Sequence, residues 1–129
     1  MGQSSSPKLT PLESLVMNCL WECSPATVRQ VRQALEPVKP MAYTTVLTVM
    51  RILRDKGFLQ SVRQGRADLY SPAVAQQEVA RTSLRELLER FFAGSATALV
   101  SQLLDSQELD ADEIRDIRRQ VNRKLRESD

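Results

Sequence analysis

Apolar residues recur at helical spacing at the start of the chain and predict two short helices. Thr10 is placed to cap the first helix, with Glu13 three residues on as its capping-box partner, and the pattern extends to about Glu22. Thr27 is placed to cap the second helix, which ends before Pro37. Two short helices so close together predict a compact helical domain.

A third helix and a hairpin follow. The helix is predicted over about Thr44 to Lys56, and a hairpin over Phe58–Arg63 and Arg66–Ser71, with Gln64-Gly65 as its turn. Three helices followed by two strands are the element order of a winged helix-turn-helix. The side of the third helix that is predicted to face the core carries Val46, Val49, Met50 and Leu53.

The second half carries longer helical patterns, each with one narrow apolar face. Val79 begins the first of these faces, and the last face has the 3-4-4 spacing of a short heptad seam. Three helices of this kind make a thin core alone, so we expect their faces to be buried against a second copy of the chain. The residues assigned to this homodimer contact are Leu84, Leu88, Phe91, Phe92, Leu99, Leu103, Ile114, Ile117, Val121 and Leu125.

The predicted fold is mainly α with a small β wing, in which a winged helix-turn-helix is followed by a helical dimerisation arm. Residues 1–8 are expected to be a disordered tail, 9–74 the DNA-binding domain and 75–129 a three-helix dimerisation domain. The start of the chain lacks the apolar core of a signal peptide, and no apolar run reaches the ~18 residues of a membrane span. We therefore expect a cytoplasmic protein without membrane insertion.

Charge is distributed unevenly. Up to Ala75 there are nine Lys/Arg against five Asp/Glu, a balance of +4, whereas nine face eleven from Gln76 onward, a balance of −2. This favours contact of the first half with a polyanion. The chain has no histidine, no glycine-rich phosphate loop and no nucleophile motif. We therefore predict no catalytic site, no metal and no cofactor.

The two cysteines, Cys19 and Cys23, lie four residues apart and share a face of the first helix. Cys19 falls in that helix's apolar series and is predicted to be a small core residue. A redox or metal role for the pair is the minor alternative, because two thiolates without further ligands make a poor closed zinc site.

Polar side chains on the third helix and basic side chains on the hairpin suggest DNA contact. The second helix of a helix-turn-helix offers its first residues to base edges, and threonine can both donate and accept hydrogen bonds. The alternatives are an ordinary polar helix surface, a solvated charge pair on the hairpin, and a winged helix that binds proteins. The residues assigned to DNA are Tyr43, Thr44, Thr45, Thr48, Arg51, Arg54, Lys56, Arg63 and Arg66.

An ordered set of motifs resembles the penicillinase-repressor family (BlaI/MecI/CopY) over about Leu9 to Leu125. The motifs are Ala42-Tyr43-Thr44-Thr45-Val46-Leu47-Thr48, Asp55-Lys56-Gly57, Gly65-Arg66-Ala67, Tyr70-Ser71-Pro72-Ala73 and Phe92-Ala93-Gly94-Ser95. The resemblance implies a winged-helix repressor that binds palindromic operators as a dimer and silences β-lactamase or related resistance genes.

The resemblance also implies how repression is relieved. In the family a membrane-bound sensor protease cleaves the arm at an Asn-Phe pair, which corresponds to Gln102-Leu103 here. Gln102 and Leu103 are therefore the candidate cleavage site, although they differ from the Asn-Phe pair of the family. Members of the copper-sensing branch of the family carry extra C-terminal cysteines. This chain has no cysteine after Cys23, which argues against that branch.

Overall fold

The computed structural model describes residues 8–129, and the chain forms two compact units that divide between Ala80 and Arg81. The first unit contains α1 (Pro11–Cys23), α2 (Val28–Leu35), α3 (Tyr43–Asp55), β1 (Leu59–Gln64) and β2 (Ala67–Pro72). The other helices are α4 (Gln76–Phe91), which begins in the first unit, α5 (Ala96–Asp105) and α6 (Ala111–Ser128). This order confirms the predicted winged helix-turn-helix followed by a helical arm. Of the predicted tail, only Lys8 lies within the described residues.

Capping boxes set the starts of three helices, and the predicted box of α1 is confirmed. At α1 the Thr10 hydroxyl accepts a hydrogen bond from the Glu13 amide at 3.1 Å, and Glu13 Oε1 accepts one from the Thr10 amide at 2.8 Å. Each box satisfies two backbone donors that the first turn of a helix leaves without partners. The same reciprocal pattern starts α2 at Thr27 and Gln30, and α6 at Asp110 and Glu113.

The core of the first unit lies between the three helices and the hairpin. The side of α3 predicted to be buried is buried, and Tyr70 of β2 is the largest of the fully buried side chains. Ala26, between α1 and α2, exchanges two backbone hydrogen bonds with Tyr70 at 3.0 and 2.8 Å. The connection between the first two helices is thereby held to the hairpin.

The hairpin turn lies one residue later than predicted. Gln64 pairs with Ala67, so the two-residue loop is Gly65-Arg66 and not Gln64-Gly65. Gly65 has a φ of +63°, a conformation that glycine adopts without steric penalty. Because the glycine has to occupy the first loop position, Arg66 lies at the tip of the wing.

The first unit extends beyond the predicted boundary at Val74. The indole Nε1 of Trp21 donates a hydrogen bond to the Val74 carbonyl at 3.0 Å, and Gln76 Nε2 lies 3.5 Å from Asn18 Oδ1. Val79 packs against the core of the first unit. The start of α4 therefore stabilises the winged helix, and Val79, which was assigned to the apolar face of the arm, belongs to the first core.

The second unit has no interior of its own. Within residues 81–129, all of which the structure describes, no side chain is buried. Six of the ten residues assigned to the dimer contact are exposed, and Leu88, Phe92, Leu99 and Ile117 are half-buried. Exposure reaches 67% at Phe91 and 60% at Leu125. None of the helices that the structure describes has the length and hydropathy needed to cross a membrane.

Candidate nucleic-acid interface

The start of α3 is positioned by a side chain of α2. Arg32 Nε donates a hydrogen bond to the Met41 carbonyl at 2.9 Å, which holds the connection between the two helices. Ala42 occupies the N-cap position and makes no side-chain cap, so no capping side chain accepts from the first amides of α3. An uncapped helix start carries a partial positive charge, which favours a phosphate. Sequence reasoning missed Arg32, because a surface arginine gives no sign of a partner nine residues away.

One face of α3 is polar and exposed. Thr44, Thr45, Thr48 and Arg51 all lie at the surface, opposite the side that packs in the core. The Thr48 hydroxyl donates to the Thr44 carbonyl at 2.8 Å, so its oxygen is left as an acceptor. Tyr43 is 47% exposed at the start of the same helix. The face offers hydroxyls and one guanidinium, which are groups that can form hydrogen bonds with base edges.

One arginine lies at the tip of the wing, in the Gly65-Arg66 loop, and Arg63 lies just before it on β1. Arg63 Nε donates to the Gly65 carbonyl at 3.3 Å, and its guanidinium lies 3.6 Å from Asp68. Arg66 is exposed and has no hydrogen-bond or ionic partner within residues 8–129. Arg66 thus presents its full charge to solvent, whereas part of the charge of Arg63 is offset by Asp68.

The other basic residues assigned to DNA differ in their surroundings. Arg51 is exposed without an ionic partner among the described side chains, and Arg54 lies 3.8 Å from the neighbouring Asp55. Lys56 is bound internally: its Nζ lies 2.8 and 2.9 Å from the two carboxylate oxygens of Glu13 and 3.4 Å from the Lys8 carbonyl. The prediction did not foresee this internal role for Lys56.

Glu13 is almost entirely buried, with 5% of its surface exposed. Burial alone would raise the pKa of this carboxyl, but the hydrogen bonds from Lys56 and Thr10 and the charge of Lys56 together lower it. Glu13 therefore stays ionised and holds Lys56 against α1. The charge of Lys56 is compensated within the fold, which leaves Arg51 and Arg66 as the strongest positive groups of the candidate interface.

The structure gives no support for a metal centre at this surface. Among residues 8–129, no three His, Cys, Asp or Glu side chains come together as ion ligands. The chemistry available at the interface is hydrogen bonding and charge, which suits recognition of a polyanion.

Comparison with known proteins agrees with this geometry. The family described as Penicillinase repressor matches residues 9–123. Transcriptional regulator BlaI of Mycobacterium tuberculosis is 36% identical over 114 residues, which cover 87% of this chain and 81% of that protein. Penicillinase repressor of Bacillus licheniformis is 24% identical over 111 residues, which cover 86% and 87% of the two chains.

The fold of the first unit is also found in a solved structure. The solution structure of the DNA binding domain of the repressor BlaI is similar with a TM-score of 0.52 and 24% identity, and the match covers 59% of this chain and 93% of that domain. The family match extends over most of the chain and confirms the resemblance drawn from its motifs. The chain therefore belongs to the penicillinase repressor family, whose members are DNA-binding transcriptional repressors and not enzymes.

Proposed function

We propose that this repressor binds palindromic operator DNA as a homodimer, with α3 in the major groove and the wing against the DNA backbone. The observation that carries the proposal is the exposed polar face of α3, which lies opposite its buried side, together with the unpaired charge of Arg66 at the wing tip. A helix-turn-helix dimer fits two half-sites one helical turn, about 34–36 Å, or a multiple of it apart.

The proposed contacts divide into two groups. The threonines of α3 and Arg51 face base edges, because hydroxyls and guanidinium groups form specific hydrogen bonds there. The remaining groups contact phosphates, which position the protein without selecting sequence. Lys56 is left out, because its three donor directions are taken by Glu13 and Lys8. The residues proposed to contact phosphates are Tyr43, Arg54, Arg63 and Arg66.

The homodimer is supported by the exposure of the arm. Val121 and Leu125 of α6 are 50% and 60% exposed and lie one helical turn apart. Leu87, Val100 and Leu104 add to the exposed apolar surface. Monomers rarely leave so many large apolar side chains exposed on one unit, and a second copy would bury them.

The proposed targets are antibiotic-resistance genes, since the related protein of Bacillus licheniformis is named a penicillinase repressor. The proposed location of the repressor is the cytoplasm.

Proteolysis of the arm by a membrane-bound sensor protease is the proposed route by which repression is relieved, with Gln102-Leu103 as the candidate bond. This bond lies inside α5, where Gln102 accepts a hydrogen bond from the Ser106 amide at 3.0 Å. Cleavage therefore requires local unfolding of α5, and mass spectrometry of the induced protein is expected to find fragments 1–102 and 103–129.

Selection from a random duplex library tests the proposal. The full chain is expected to enrich an inverted repeat and to bind it with two chains per duplex in sedimentation. A matched selection with Thr45→Ala is expected to lose the preference at symmetric positions of both half-sites. Enrichment of no sequence, together with capture of a protein partner by the same surface, would favour a protein-binding winged helix instead.

A further inference from the structure

The two cysteines form a close pair on the last turns of α1. Cys19 Sγ lies 3.6 Å from Cys23 Sγ, at the distance of a thiol–thiol hydrogen bond, and both thiols are free. Cys19 is half-buried against the core, and Cys23 is exposed at the end of the helix. Solvent thus reaches the pair from the Cys23 side, and the more buried sulfur is held in place by packing.

The spacing of the pair suits a bridging atom better than a direct bond. A disulfide needs Cβ atoms about 3.5–4.5 Å apart, whereas residues four apart on a helix have Cβ atoms about 5–6 Å apart. Bonds from thiolate sulfur to a soft atom such as zinc are about 2.3 Å long, and two of them from sulfurs 3.6 Å apart meet at roughly 100°. That angle fits a pyramidal or tetrahedral centre, and α1 keeps its helical backbone.

The surroundings decide which atom fits. A divalent metal requires two ionised thiols and further ligands, and no third ligating side chain joins the pair within the described residues. Burial, the hydrogen bond to Cys23 and the negative charges of Cys23 and Glu22 raise the pKa of Cys19 to about 12. A protonated thiol still condenses with an arsenous hydroxyl, because the thiol proton leaves with that hydroxyl as water.

We infer that Cys19 and Cys23 form a binding site for a monosubstituted trivalent arsenical. In the reaction, R–As(OH)₂ and the two thiols give R–As(S-Cys19)(S-Cys23) and two molecules of water. Two As–O and two S–H bonds break, two As–S bonds and two O–H bonds of water form, and no atom is oxidised or reduced. The product cross-links Cys19 to Cys23 across the last turn of α1. This turn lies close in sequence to Ala26, which makes two hydrogen bonds to Tyr70. Binding is therefore expected to stabilise the first unit.

Phenylarsine oxide added to the reduced full chain tests the inference. The expected result is one phenylarsenic group per chain by intact mass, loss of both titratable thiols and a higher Tm. Because the second bond to arsenic forms within the same site, excess monothiol is expected to release the group at least ~100-fold more slowly than from a single cysteine. A small dithiol should remove it.

Matched variants separate geometry from the number of thiols. Cys23→Ser and Cys19→Ser each keep one thiol and are expected to lose the monothiol-resistant adduct. The double variant Cys23→Ser, Ser24→Cys keeps two thiols but moves one beyond the end of α1, and it too is expected to lose the adduct. A resistant adduct on any of these folded variants, two arsenicals per wild-type chain, or preferential uptake of Cd²⁺ by the wild type would overturn the inference.

Discussion

Glu13 Oε2 lies 2.8 Å from Lys56 Nζ, and this ion pair joins the first turn of α1 to the end of α3. The Glu13 side chain is 7% exposed and that of Lys56 is 29% exposed, so solvent screens the pair only in part. The same carboxylate completes the capping box of α1 through the Thr10 amide. One buried side chain therefore sets both the start of a helix and the position of α3.

The ion pair is expected to make stability depend on pH. The pKa of Glu13 is lowered from its ordinary 4.5 in the folded chain, so its contribution is complete above that value and is lost as the pH falls through the lowered folded pKa. Urea unfolding across this range is expected to show a steeper loss for the wild type than for Glu13→Gln. Glu36→Gln removes an exposed carboxylate and serves as the control. Equal slopes for all three proteins would refute the assignment.

Lys56→Met is expected to destabilise the chain by about 1–3 kcal/mol, because it leaves the buried Glu13 carboxylate without its charged partner. Its folded fraction should bind DNA with an unchanged salt slope, since the Lys56 charge is already compensated. Urea unfolding and anisotropy measure the two effects separately. Unchanged stability with a reduced salt slope would restore Lys56 to the DNA contacts.

Tyr70→Phe is expected to leave stability unchanged or to raise it. Tyr70 is completely buried, and its hydroxyl has no hydrogen-bond partner in the described part of the chain. Removal of an unsatisfied polar group relieves its desolvation cost, while the backbone hydrogen bonds to Ala26 remain. A loss of more than about 1 kcal/mol in urea unfolding would mean that the hydroxyl is satisfied in solution.

Arg66→Ala is expected to weaken binding to all duplexes similarly and to flatten the salt slope by about one unit, as loss of one phosphate contact does. Fluorescence anisotropy on several duplexes measures this. Arg126→Ala, an exposed arginine of α6, is the control and should leave the slope unchanged. Weaker binding to one sequence alone would contradict a phosphate role for Arg66.

Val121→Asp is expected to give monomers, because it places a charge in the apolar stripe of α6. Asn122→Asp adds the same charge one position away from the stripe and should leave the dimer intact. Sedimentation velocity distinguishes the two outcomes. A dimer that persists in Val121→Asp at the same concentration would show that α6 is not the contact.

Local signals predicted much of the fold. The capping box of α1, the Thr27 cap of α2 and the buried side of α3 follow from spacing alone, and the structure has them. Cys19 packs against the core as its place in the apolar series predicts. The residues assigned to DNA and to the dimer contact stay predictions; apart from Lys56, which Glu13 binds internally, their surface positions are compatible with those roles.

Contacts between residues that are distant in the sequence could not be predicted from the spacing of apolar and polar residues. Glu13 has an adequate local explanation as a cap, so nothing pointed to Lys56, which follows 43 residues later. Val79 continues the apolar spacing of α4, and spacing cannot tell which of two cores a residue joins. The hairpin turn was predicted one residue too early because a glycine is acceptable at either position of a two-residue loop. Only the pairing of Gln64 with Ala67 shows that Gly65 is the first loop residue.

The salt dependence of DNA binding tests the central claim most directly. The full chain is titrated onto a labelled duplex at increasing salt, and log Kd is plotted against log salt. Each neutralised phosphate contributes a slope of about 0.9, so a dimer with several contacts per half predicts a steep line. A flat line, or no binding at low salt, would contradict a role for α3 and the wing in DNA recognition.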